Sequence, residues 1–293
     1  MYLAIDLGGT FVKRGLINDH GQIIKNDKVP APRENISDFY DLIQTYLESL
    51  PEKHQIKALA LSAPGLPMDD GTIAGCSALT YLHGPDIKNT LQSLLGIPVF
   101  IENDANCAAL AEVWQGKAAD CNDALFVVVG TGIGGAIIKN KTLHKGAHLY
   151  GGEFGMMIQY DHQTQSIKGF SELAATGGLV RTASERLNRT VTGEDIFQLA
   201  EQGNVICQEV IQSFYDHLAV LLTNLQSVYD PEKIIISGGI TERPAFKNEL
   251  LQSLDTINQL RGALSINVTV DIARFKNDAN LIGAVYNAIQ SSN

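Results

Sequence analysis

The chain predicts an α/β fold in two domains. Strand-like apolar runs alternate with helix-patterned segments, and several of those runs end in glycine-rich turns. One strand, glycine turn, strand plan near the N-terminus is repeated after residue 123. At 293 residues the chain has length enough for two cores. A hydrophobic fraction of 45% with 18% charged residues argues against long disordered segments. A net charge of −10, with no Lys/Arg cluster, excludes nucleic acid as an expected partner, although glycine-rich backbone can still bind a small phosphate ligand. Cys76, Cys107, Cys121 and Cys207 are scattered without C-x-x-C spacing and read as small core residues. No run approaches the roughly 18 apolar residues of a membrane span, so no membrane association is expected and the expected location is cytoplasmic.

Tyr2 to Ile5 reads as a short buried strand, Asp6-Leu7-Gly8-Gly9-Thr10 as a turn, and Phe11 to Ile17 as a second strand. Asn18 to Gly21 turns that strand back into a third, Gln22 to Val29. Gly8, Gly9 and Thr10 can bring backbone N–H groups and a hydroxyl to phosphate oxygens, and Asp6 can hold Mg²⁺ through water. An ordinary hairpin turn with a capping aspartate would use the same residues. Ser37 reads as the cap of a helix ending at Leu50, with Phe39, Leu42, Ile43, Tyr46 and Leu47 at helical spacing. Lys57 to Leu61 is a strand ending in Ser62-Ala63-Pro64-Gly65. The irregular segment from Asp69 to Pro85 is long enough to wall a pocket, and His83 within it reads as an ordinary polar residue.

Gly96 to Ile101 is a strand entered through Pro98, and from Ala105 onward the residues are strong helix formers. Asn103 and Asp104 therefore sit at a strand-to-helix junction. Asp104 is there either as a helix cap or as a general base at the strand end, where open α/β sheets bind ligands; the local sequence leaves both open. Gly116 to Asp123 is polar and turn-forming, which puts the domain boundary after residue 115. Ala124 to Val129 then runs into Gly130-Thr131-Gly132-Ile133-Gly134-Gly135, a literal G-x-G-x-x-G. A dinucleotide fingerprint needs a helix next, whereas Ala136 to Leu143 reads as strand, polar turn, strand. Two halves, each offering a glycine hairpin to a shared cleft, would clamp a polyphosphate.

Gly151-Gly152-Glu153-Phe154-Gly155 places an acid in a flexible turn, and Ser171-Glu172 opens a helix whose dipole Glu172 would satisfy. Val205 to Tyr229 is one long amphipathic helix. Lys233 to Ile236 is a strand entering Ser237-Gly238-Gly239, where paired glycines either admit a flat ring or make a tight turn. Val268 to Ile272 is a late strand, and Asp278 is read as the cap of a final helix that returns to the first domain.

Asp6-Leu7-Gly8-Gly9-Thr10, Ser62-Ala63-Pro64-Gly65, Glu102-Asn103-Asp104-Ala105-Asn106, Gly130 to Gly135, Gly152-Glu153-Phe154-Gly155 and Ser237-Gly238-Gly239 occur in this order. Together they resemble the ROK family of bacterial sugar kinases, from residue 2 to about 286. The resemblance implies the actin/hexokinase-like ATPase fold, a ribonuclease H-like α/β domain duplicated about a cleft. The N-terminal domain would be 1–115, completed by helix 278–293, and the C-terminal domain 116–277. It implies that Asp104 is the catalytic base, that Asn103, Glu153 and Glu172 contact the sugar, and that Pro64 and Gly65 border it. Gly8, Gly9, Thr10, Gly130, Thr131 and Gly132 would hold the ATP phosphates with Lys13 on the same side. Asp6 would act near Mg²⁺ through water, and Gly238 and Gly239 would lie against adenosine.

Two departures from the family pattern alter what is expected. Met156 stands where a zinc-binding histidine is usual and no cysteine cluster accompanies it, so structural zinc is not expected. The chain begins directly on its first strand, without the DNA-binding helices of the family's repressors, which disfavours that role. The expected activity is transfer of the γ-phosphoryl group of ATP to a hexose hydroxyl, O6 by resemblance, of a free hexose or a β-glucoside. An N-acetylmannosamine kinase, a non-catalytic sugar-sensing regulator and a sugar-independent ATPase are the alternatives, and a homodimer is expected.

Overall fold

A computed structural model describes residues 1–75, 77–161 and 165–292. In chain order the elements are β1 (Tyr2–Leu7), β2 (Phe11–Ile17), β3 (Ile23–Pro30), α1 (Ile36–Ser49), β4 (Leu59–Ala63), β5 (Leu66–Pro67), β6 (Ile73–Ala74), α2 (Ile87–Leu95), β7 (Val99–Asn103) and α3 (Asp104–Gln115). They continue with β8 (Ala124–Val129), β9 (Ile133–Lys139), β10 (Thr142–Leu143), β11 (Ile158–Asp161), β12 (Ser166–Gly169), α4 (Phe170–Leu173), α5 (Thr176–Leu187), α6 (Gly193–Glu201) and α7 (Val205–Tyr229). The last are β13 (Lys233–Ser237), α8 (Phe246–Arg261), β14 (Val270–Ile272) and α9 (Ala279–Ser291). None of the helices among the described residues is long and apolar enough to cross a membrane.

The chain divides into two compact units, 1–119 with 274–293, and 120–273. The first unit ends a few residues beyond 115 because the Glu112 carboxylate, itself buried, accepts the backbone N–H of Lys117 (2.7 Å) and of Phe275 (2.8 Å). Its sheet has the order β3-β2-β1-β4-β7: β1, β2 and β3 are antiparallel, and β4 and β7 run parallel to β1. The register sets Asp6 opposite Ser62, Ser62 opposite Glu102 and Ala63 opposite Asn103, so the carboxyl ends of three parallel strands stand side by side. Helix α9 packs on α3 and on this sheet, and a Cβ on Gly283 would run into the Cys107 carbonyl, so the two helices cross in close backbone contact.

The second unit repeats the plan, in the order β10-β9-β8-β13-β14, with β8 and β9 antiparallel and β13 and β14 parallel to β8. Its core is built largely from α7, where Phe214, Leu218, Leu221 and Leu222 are buried against α5, α6 and α8. Cys107, Cys121 and Cys207 are buried, as their sequence reading expects; Cys76 lies outside the described residues.

Two capping assignments differ from the sequence reading. Helix α1 is capped by Asn35, whose side chain accepts the Asp38 N–H (3.0 Å), and Ser37 lies inside the first turn. Asn35→Ala should therefore lower unfolding free energy by about 1 kcal/mol while Ser37→Ala stays near neutral, read by urea denaturation. Asp278 occupies the cap position of α9 in an α-region conformation (φ −101°, ψ −2°) without capping it, and its Oδ1 instead accepts the Asn26 side-chain amide (3.2 Å).

Candidate active site

In the first unit the candidate residues gather where β1, β4 and β7 end. Asp6 is only 6% exposed. Its Oδ1 accepts the Ser62 hydroxyl (3.0 Å) and the Asn280 amide (2.9 Å), and its Oδ2 lies 3.3 Å from the Lys13 ammonium. Lys13 stands opposite Asp6 in the β1–β2 register and also donates to the Asn277 carbonyl (2.7 Å). The Gly8–Thr10 turn is closed by Gly8 N–H on the Phe11 carbonyl (3.0 Å), with Gly9 and Thr10 exposed.

At the β7–α3 junction the cap is Asn103. Its Oδ1 accepts the N–H groups of Ala105 (2.9 Å) and Asn106 (3.2 Å), and its Nδ2 donates to the Gly65 carbonyl (2.9 Å). The capping duty that the local sequence could not assign is thus carried by Asn103, and Asp104 is the first residue of the helix. The Asp104 carboxyl is half-buried, with Oδ1 accepting the Ala105 N–H (2.8 Å). Burial raises its pKa above the ordinary carboxylate value; the Ala105 N–H pulls it partly back, and the negative charge of Asp6 adds a smaller rise. Glu102, 2% exposed, accepts the Asn103 N–H and the Asn106 amide (2.9 Å each), which steadies the junction from beneath. Asn103 also draws in Gly65 of the Pro64-Gly65 turn, whose φ of 100° suits glycine, and His83 backs that turn with Nε2 3.0 Å from Ser77 Oγ.

In the second unit Gly130 to Gly132 form the turn between β8 and β9, so the glycine run is a strand–turn–strand and no helix follows it. Gly130 N–H donates to the Gly132 carbonyl (3.0 Å), leaving Thr131 exposed. The N–H and hydroxyl of Thr176, first in α5, both reach the Gly130 carbonyl (2.9 and 2.7 Å). The Ser171 hydroxyl accepts the Ile133 N–H (2.9 Å). A Cβ on Gly155 would strike both that hydroxyl and the Ile133 carbonyl, so the turn carrying Glu153 and the helix carrying Glu172 are packed around the Gly132–Ile133 turn. Glu153 and Glu172 are exposed; Glu172 Oε1 accepts the Gly169 N–H (3.3 Å), the helix-terminal role its position suggested.

Gly238 has φ 115° and a Cβ there would meet the Val129 carbonyl, so the close approach of β13 to β8 demands glycine. Gly130 and Gly239 line one cavity of about 720 Å³, with Val129, Leu179, Ile240 and Pro244 as apolar walls. Two turns assigned separately to a nucleotide thus open on the same space.

Asn280, Thr176, Phe197 and Arg243 were not singled out from sequence, and Ser62 entered only as the first residue of the Ser62-Ala63-Pro64-Gly65 run. Only Thr176 carried a signal, the pair Gly177-Gly178 in the first turn of a helix, where glycine is otherwise costly. Among the described residues no three His, Cys, Asp or Glu side chains are grouped to hold a metal. Asp6, one carboxylate shared with a lysine, suits a hydrated cation that arrives with phosphates and not an all-protein cage. Met156 is exposed, at the end of a short 3-10 turn.

A family model described as the ROK family matches residues 2–291. The chain is 35% identical to the β-glucoside kinase of Listeria monocytogenes, over 99% of this chain and 98% of that protein. It is 35% identical to the β-glucoside kinase of Klebsiella pneumoniae, over 97% and 94%. It superposes with a TM-score of 0.91 on the crystal structure of a ROK family protein from Streptococcus pneumoniae TIGR4 in complex with sucrose, at 33% identity over 99% and 98% of the two chains.

Proposed function

The chain belongs to the ROK family, and on that premise we propose that it phosphorylates the 6-hydroxyl of a β-glucoside with Asp104 as general base. It is an ATP-dependent sugar kinase of the actin/hexokinase-like fold. The observation that carries the finer reading is the strand register that lines up Asp6, Ser62 and the Asn103–Asp104 junction at one end of a sheet. The likeness to two β-glucoside kinases supports the substrate class.

In this reading Asp104 accepts the O6 proton as the oxygen attacks the γ-phosphorus, and the bond to the β-phosphate oxygen breaks with its electron pair leaving on ADP. A raised pKa makes the ionised Asp104 carboxylate a better proton acceptor. Asn103, Pro64, Gly65, Glu153 and Glu172 border or bind the sugar. Gly8, Gly9, Thr10, Lys13, Gly130, Thr131 and Gly132 face the phosphates, and Gly238 and Gly239 the adenosine. Mg²⁺ held by Asp6 through water would neutralise phosphate charge. The role of ATP as substrate supports a cytoplasmic location.

A coupled ADP-release assay over glucose, cellobiose and N-acetylmannosamine tests the substrate. Cellobiose should give the highest kcat/KM, and a preference for either other sugar would overturn that choice. Chelation should abolish activity and Mg²⁺ alone restore it, with no stoichiometric zinc on metal analysis; a tightly held zinc whose removal unfolds the protein would refute the metal assignment.

Gly132→Val should raise the KM for ATP roughly ten- to a hundredfold, the loss of one hydrogen bond to a charged group, with the sugar KM little changed. A Cβ there already sits 3.3 Å from Ser171 Oγ, so a branched side chain crowds the turn. Equal effects on both substrates would count against a phosphate role.

We also propose a homodimer. Ile158, Tyr160 and Ile167 share one face of the β11–β12 hairpin and are 65%, 48% and 59% exposed, an apolar patch of the kind that partners cover. Light scattering that shows only monomer at micromolar concentration would rule it out.

A further inference from the structure

The cavity that holds Gly130 and Gly239 has one wall that the assignments above leave without a role. The guanidinium carbon of Arg243 lies 3.5 Å from the centroid of the Phe197 ring, and both residues line the cavity. At that distance two flat groups are in face contact. The arginine is held in place from behind: Nη1 donates to Glu249 Oε2 (2.7 Å) and to the Tyr215 hydroxyl (2.9 Å), and Nη2 to Glu249 Oε1 (3.4 Å). Tyr215 is 2% exposed and its ring packs on Phe246, so the ion pair is anchored to the core. A free arginine loses much rotamer freedom when it stacks; this one is already ordered.

The stack is also a partition. Phe197 and Arg243 line a second cavity, of about 540 Å³, whose other walls include Tyr215 and Glu249. Removing the arginine side chain would join the two spaces and take away the back wall of the first. Three of its five N–H donors are turned to Glu249 and Tyr215, and the face stacked on Phe197 offers the cavity bulk and a flat cationic surface.

We propose that the Phe197–Arg243 stack is the wall against which the purine base of the nucleotide is held, and that it selects for a flat base by shape without reading the base's hydrogen-bonding edge. This rests on the reading of the cavity as the nucleotide site. Base stacking on such a wall is sequence-tolerant, so the stack serves ATP and GTP alike.

The test compares the parent protein with Arg243→Ala, Arg243→Lys, Phe197→Leu and Phe197→Tyr. Binding of a non-hydrolysable ATP analogue is followed by calorimetry, and initial rates are measured with ATP and GTP. Arg243→Ala and Phe197→Leu should weaken analogue binding and raise the KM for ATP and GTP in parallel, by about tenfold each, with kcat and the sugar KM within about twofold of the parent. Arg243→Lys keeps a charge for Glu249 but no flat surface, and should stay impaired; Phe197→Tyr keeps the ring and should recover most of the affinity. A KM for ATP within about twofold of the parent in a folded Arg243→Ala would overturn the proposal, as would a changed ATP-to-GTP ratio. If Arg243→Ala fails to fold, the contrast between Phe197→Leu and Phe197→Tyr decides alone, equal KM values refuting the wall. A parent protein that phosphorylates sugar while the variants bind nucleotide normally defeats only this inference, whereas a parent that binds no analogue defeats the nucleotide-site reading beneath it.

Discussion

Asp104→Asn is expected to lower kcat by roughly 10² to 10⁴ while sugar binding largely survives, the range for loss of a general base whose hydrogen-bonding shape is kept. Asparagine can still accept the Ala105 N–H through its own Oδ1, so the first turn of α3 need not rearrange. Stability gives an independent check. The folded pKa of Asp104 is raised, chiefly by burial with a smaller push from Asp6, so the folded state binds that proton more tightly than the unfolded chain. Stability therefore falls as pH rises from the ordinary carboxylate value through the raised one. Asparagine has no charge to desolvate, so above the raised pKa the Tm of the variant should equal or exceed that of the parent, and the difference should shrink as the pH is lowered through it. A variant with near-normal kcat ends the assignment; one with low kcat and a collapsed Tm would show the carboxylate to be structural.

Asp6→Asn should lower kcat by roughly 10² to 10³, the magnitude of losing one preorganised electrostatic group. Asp6 is buried between Ser62, Asn280 and Lys13, and its charge is one of the causes that raise the Asp104 pKa. Removing that charge should move the acid limb of the residual rate to lower pH, because the upward push of Asp6 on Asp104 is gone while burial remains. More Mg²⁺ should be needed for half-maximal rate. An acid limb that stays in place or moves upward would show that the two carboxylates are not coupled, and an unchanged Mg²⁺ requirement would remove Asp6 from the metal's surroundings.

Some of this site could be read residue by residue. The Gly130–Gly135 run was separable from a dinucleotide fingerprint because Ala136 to Leu143 lacks helical spacing, and β9 and β10 follow it as the pattern required. The Asn103–Asp104 junction was legible for the same reason: a proline-entered strand meets a run of good helix formers, and strand and helix periods differ over a few residues. Local competition between neighbours was less legible. Asn35 and Ser37 are both good caps, and only the backbone geometry of residue 35 shows which one faces the free N–H groups.

The amino-acid sequence by itself determined the α/β class, the glycine turns, the buried strands and the position of Asp104 at a strand end, all consequences of periodicity and backbone sterics within a short window. Tertiary structure alone decided which groups surround them. Asn280 reaches Asp6 across 274 positions because α9 packs back onto the first sheet, and Ser62 reaches it because β4 runs in register beside β1. Arg243 meets Phe197 because α6 and the turn after β13 pack on one core. Those contacts depend on sheet register and on helix faces meeting at close range, which are properties of the packed whole, because a polar side chain far along the chain bears no mark of the partner that packing will bring to it.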